Sequence, residues 1–80
     1  MDAFSVMLKG RDGDDAYHIT VSVAHHTAEA AEELACDYAS QEGWNIVEIE
    51  ETRHDAIDAT ADEPTVIDAT GRTYLDGELH

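Results

Sequence analysis

Tyr17-His18-Ile19-Thr20-Val21-Ser22-Val23, then Ala24-His25-His26, then Thr27-Ala28-Glu29-Ala30-Ala31-Glu32-Glu33-Leu34-Ala35-Cys36-Asp37-Tyr38-Ala39: the change of period across this stretch decides the fold. In its first part Tyr17, Ile19, Val21 and Val23 alternate with His18, Thr20 and Ser22, the two-residue period of a strand with one buried face. In its last part, steps of about 100° set Ala28, Ala31, Leu34, Ala35, Tyr38 and Ala39 on one arc of a helix. Glu29, Glu33, Cys36, Asp37 and Ser40 fall opposite. Thr27 offers a capping hydroxyl, and Glu29 stands in the first turn against the positive end of the helix dipole. Gly43 occupies the place of a left-handed C-cap, so the helix is expected over residues 27–42.

Upstream, Phe4, Val6 and Leu8 alternate with Ser5 and Met7, which predicts a strand over residues 4–9. Gly10-Arg11-Asp12-Gly13-Asp14-Asp15 between the two alternating runs has the Gly and Asp content of a hairpin loop, joining that strand to one over residues 17–23. Downstream of Gly43, Trp44-Asn45-Ile46-Val47-Glu48-Ile49 begins a third strand over residues 44–51. Two strands, a helix and a strand make an α+β domain, an antiparallel sheet in the order 2-1-3 with one helix on one face.

Residues 1–52 are read as this ββαβ core and 53–80 as a C-terminal extension. The extension is Asp-rich, broken at Asp62-Glu63-Pro64, and strand-like again at Thr65-Val66-Ile67 and Thr73-Tyr74-Leu75. It fits either a short hairpin or an arm laid along the sheet. A chain of 80 residues buries only roughly 60–65% of its unfolded surface, so one core is all it can build.

Charge restricts the function classes. There are 19 Asp and Glu against 4 Lys and Arg, a formal net charge of -15 spread over both halves of the chain. Self-repulsion of that size opposes a compact state in dilute buffer, and molar salt, with a Debye length of about 3 Å, removes most of it. The single lysine, the abundant Asp, Glu, Ala and Thr and the scarcity of large apolar residues resemble the cytosolic proteins of halophilic archaea. That resemblance implies a salt-rich cytoplasm and a need for high salt. One cysteine, Cys36, allows no disulfide within the chain and fits a reducing compartment. Residues 1–6 lack a basic and apolar leader pattern, and no stretch approaches the 18 or so apolar residues of a membrane span, so neither secretion nor a membrane is expected.

Lys9, Arg11, Arg53 and Arg72 are too few for the basic footprint with which proteins displace counterions from nucleic acid. Phe4-Ser5-Val6 at the start, and Ile46-Val47-Glu48-Ile49-Glu50-Glu51 after an Ala- and Glu-rich helix, are nonetheless similar to the small archaeal ribosomal protein LX over about 45 residues, and that similarity implies a ribosome-associated role.

Catalysis has no evident starting residue. Cys36 lies among acids that disfavour its thiolate, Ser5, Ser22 and Ser40 have no nucleophile-elbow context, and no glycine-rich phosphate loop occurs. No cofactor is implied. His18, His25 and His26 are the candidate metal ligands, although adjacent histidines do not converge by spacing alone; solvated residues at a strand-to-helix junction is the plainer reading. Asp12, Asp14 and Asp15 around Gly13 lack the closing Glu of a calcium loop and read as an acidic turn.

What remains is apolar surface. In strand three, Trp44 and Ile46 point one way and Val47 and Ile49 the other unless a bulge intervenes, so both sheet faces are expected to be apolar while one helix covers only one. Met7, Trp44, Val47, Ile49, Val66 and Tyr74 are the candidate interaction surface. Either the C-terminal segment folds back over it, or a second subunit or a protein partner covers it.

Overall fold

In a computed structural model, which describes residues 1–56, 62–70 and 73–74, the chain forms β1 (Asp2–Asp12), β2 (Asp15–His25), α1 (Ala28–Gln41), β3 (Ile46–Ala56), β4 (Thr65–Ala69) and β5 (Thr73–Tyr74). The sheet is antiparallel in the order β3-β1-β2-β4, with α1 packed on it, an α+β fold. The expected neighbours of β1 are its observed ones. β4 and β5 both pair with β2, so these parts of the C-terminal segment lie along the sheet as successive pieces of one edge.

The hairpin turns at Gly13, whose φ of 67° is a conformation glycine adopts without penalty. Pairing of Asp12 with Asp15 sets the register in which Leu8 meets Ile19, Val6 meets Val21 and Phe4 meets Val23. All six side chains are buried, joined by Tyr17. Gly10 sits opposite Tyr17, and the phenol ring lies over the glycine where a side chain would otherwise stand.

The helix brings almost no bulk to this core. Its buried residues are Ala31, Ala35 and Ala39, while Leu34 and Tyr38, expected on the same arc, pack at its margin. Small side chains let the helix axis approach the sheet, and the sheet supplies the volume. Thr27 is the N-cap, its hydroxyl accepting from the Ala30 amide at 3.2 Å. At the other end Gly43, φ 81°, donates to Ser40 and Trp44 donates to Ala39, while the Trp44 ring meets Tyr38 edge-on at 5.8 Å. This is the Schellman arrangement with its apolar clasp.

β3 departs from the expected alternation. It begins at Ile46, so Trp44 and Asn45 belong to the turn, and it runs on to Ala56. Its register against β1 skips one residue three times, at Val47, Glu50 and Asp55. These bulges keep Ile46, Ile49, Thr52 and His54 opposite Gly10, Leu8, Val6 and Phe4, on the helix side. Thr52 there donates to Glu32 of the helix at 2.6 Å, and the His54 ring stacks on Phe4 at 5.1 Å. The polar second half of the strand is held by these contacts and not by an apolar pattern. Among the described residues no helix is long and apolar enough to cross a membrane.

Candidate interaction surface

The sheet face away from the helix carries Ser5, Met7 and Lys9 from β1, His18, Thr20 and Ser22 from β2, and Glu48, Glu51 and Arg53 from β3, because each pairs with another of the set. Ser5, Met7, Thr20, Glu51 and Arg53 line a shallow hollow at its middle. The expected apolar second face is therefore polar, with half-buried Met7 at its centre. The reason is the bulge at Val47, which returns Ile49 to the side of Leu8. Ser5 donates to Asp55, and Arg53 lies 3.9 Å from the same carboxylate.

The candidate residues do not gather into one patch. Met7 is on the open face; Trp44 is half-buried on the opposite side, at the end of the helix; and Val66, paired with Val23, packs against the core. Tyr74 pairs with Tyr17 through its backbone, and its side chain lies outside the described residues, as do Leu75 and the remainder of the C-terminal segment. Val47 and Ile49 are exposed on β3, at 49% and 39%. Ile67, exposed at 54%, is the residue skipped in the pairing of β4 with β2. Sequence reasoning placed it in a strand-like run without assigning it to the candidate surface. Its exposure follows from a bulge that no local pattern signals.

The longest open feature is the outer edge of β3, an 11-residue strand that ends the sheet order and pairs only with β1 among the described residues. The Arg11 amide donates to the Asn45 carbonyl at 3.0 Å. Odd-numbered residues of β1 thus turn their amides and carbonyls toward β3. In an antiparallel ladder the β3 residues paired with them, Glu51 and Arg53 included, bond inward, and Thr52 between them presents its amide and carbonyl outward.

The three candidate metal ligands do not converge, although the rings of His25 and His26 meet edge-on at 5.6 Å. His18 and His25 are seven positions apart on one strand, about 23 Å at the rise of a β-strand, so they cannot share an ion. His18 Nε2, shielded from solvent, faces the Glu50 carboxylate across β1. His25 instead accepts the His26 amide on Nδ1 at 2.8 Å. Among the described residues no three His, Cys, Asp or Glu side chains come together as a metal ion requires.

Cys36 is half-buried against the core and not on the wet face. With Ser40, Trp44, Asn45 and Ile46 it lines a groove of about 320 Å³ between the helix end and the start of β3. Burial pushes its thiol above the ordinary value of 9.0, and the carboxylates of Asp37 and Glu32 push it further.

The chain matches no protein family, no curated protein and no solved structure in sequence or fold comparison.

Proposed function

We propose that this domain is a non-catalytic interaction module that works in a salt-rich cytoplasm by associating with itself or with a protein partner. The observation that carries this reading is the open edge of β3, with exposed Val47 and Ile49 on it. Unpaired strand edges recruit a further strand through the backbone, and natural proteins that have no use for one shorten it, cover it, charge it or bend it with bulges. Here it is the full length of the sheet. The charge of -15 supports salt as a condition of association, since two such chains repel until counterions screen them.

Sedimentation velocity in molar KCl over a concentration series tests the reading. The sedimentation coefficient is expected to rise with concentration in molar KCl and to lose that dependence in dilute buffer. A chain that stays monomeric at every concentration in molar KCl, and retains no partner from a lysate prepared at that salt, defeats it.

A further inference from the structure

We infer that the partner at this edge is a second copy of the chain, joined by antiparallel pairing of the two β3 strands about Thr52; the inference rests on the self-association half of the reading above. The residues around Thr52 are complementary about it: Glu50 and Glu51 precede it, and the cation Arg53 and the imidazole of His54 follow. When a strand pairs antiparallel with its own copy about one residue, the position n before the centre faces the position n after it. Arg53 then faces the second copy's Glu51, and His54 faces the second copy's Glu50. Two-fold symmetry makes the Glu51–Arg53 match twice, so the two formal charges flanking the centre each meet their opposite. The other centres do worse: centring on Glu51 sets Glu50 against Thr52 and Ile49 against Arg53, centring on Arg53 sets Glu51 against Asp55, and centring on His54, which sets Arg53 against Asp55, runs the pairing through the bulge at Asp55.

The backbone agrees with that centre. Thr52 is a residue whose amide and carbonyl point away from β1, so Thr52 facing Thr52 is a hydrogen-bonded pair. Residues Glu51 to His54 hold regular register against β1, a run of four between the bulges at Glu50 and Asp55, which bend the strand away at either end. The side chains are available as well. Arg53 is 68% exposed, its neighbour Asp55 at 3.9 Å leaves it room to turn, and exposed Glu51 has no ion-pair partner among the described residues. Glu50 is engaged by His18 and His54 by Asp2, so the Glu51–Arg53 pair sets the specificity.

Charge exchange tests this with the full-length chain in molar KCl, each variant checked for unchanged circular dichroism. Arg53→Glu sets Glu against Glu at both matches, and Glu51→Arg sets Arg against Arg. Either alone is expected to raise the dimer dissociation constant several-fold, since two exposed contact pairs turn repulsive while molar salt screens part of the difference. The double variant Glu51→Arg/Arg53→Glu restores complementarity and wild-type affinity, and an equimolar mixture of the two single variants forms a heterodimer. Thr52→Pro, which removes an outward amide and leaves the bonds to β1, abolishes the dimer. A wild-type dimer that tolerates Arg53→Glu, or a double variant as weak as the singles, overturns β3 self-pairing and leaves self-association elsewhere standing. Growth into larger species instead of a dimer means head-to-tail contact and overturns the two-fold arrangement. A wild-type monomer at every concentration overturns this proposal together with the self-association it rests on.

Discussion

Replacing Gly10 with alanine probes the closest approach in the core. A Cβ at this position would stand 2.6 Å from both Cε1 and Cζ of Tyr17 and 2.8 Å from its hydroxyl. Carbon atoms pack at about 3.5–4.0 Å, so something must move by about 1 Å. Tyr17 is 1% exposed, and its hydroxyl accepts the Asn45 amide at 3.2 Å, so a tilt of the ring loosens that bond and disturbs a packed interior. Overpacking of this kind costs about 1–3 kcal/mol. Against it stands about 0.4–1 kcal/mol from the reduced freedom of the unfolded chain, since the Gly10 backbone is in a region open to alanine.

The net expectation for Gly10→Ala is a loss of about 1–2 kcal/mol, a fall of roughly 5–15 °C in Tm for a domain of this size, read by thermal and denaturant unfolding in molar KCl. The cause is tested by repeating the substitution in a Tyr17→Leu background. With the ring gone, Gly10→Ala should be neutral or slightly stabilising, so the two substitutions couple by at least about 1 kcal/mol. An unchanged Tm for Gly10→Ala, or the same loss in both backgrounds, refutes the argument that Gly10 exists to admit Tyr17.

Thr27→Ala should cost about 1 kcal/mol, because it leaves the Ala30 amide without its acceptor; thermal unfolding would show a drop of about 4–8 °C, with Thr27→Ser close to wild type. For Cys36, whose thiol is raised by burial first and then by Asp37 and Glu32, alkylation in the folded state should be slower than in the unfolded chain at mildly alkaline pH. The sign of the linkage follows. Its folded pKa lies above the unfolded one, so the neutral thiol's contribution is fully present below the unfolded value and is lost as pH rises through the folded one. The stability gap between wild type and Cys36→Ala should therefore shift against the wild type above about pH 9, and a gap independent of pH in that range would contradict it.

The bland elements were the legible ones. Two-residue alternation in β1 and β2, the alanine arc of α1, the Thr27 cap and the Gly43 stop are each written within a few neighbouring residues, because backbone geometry repeats over that span. From these the sheet order around β1 and the packing of helix on sheet followed. The candidate surface was only partly legible. Val47 and Ile49 are exposed, but Ile49 lies on the helix side with Ile46 and not opposite it as the alternation implied; Trp44 and Val66 pack against the core, and Met7 lies alone among polar neighbours.

Sequence by itself determined which segments are strand and helix and how heavily acidic the chain is. Only the tertiary structure decided where β3 skips a residue, that Cys36 tucks under the start of that strand, that His18 and His25 lie too far apart to act together, and that Thr52 turns its backbone outward. The skips in β3 and the outward turn of Thr52 depend on register against β1, fixed by how Ile46, Ile49, Thr52 and His54 are held on the helix side. Strand register is settled by partners more than 30 positions away in the chain, and a local pattern carries no record of them.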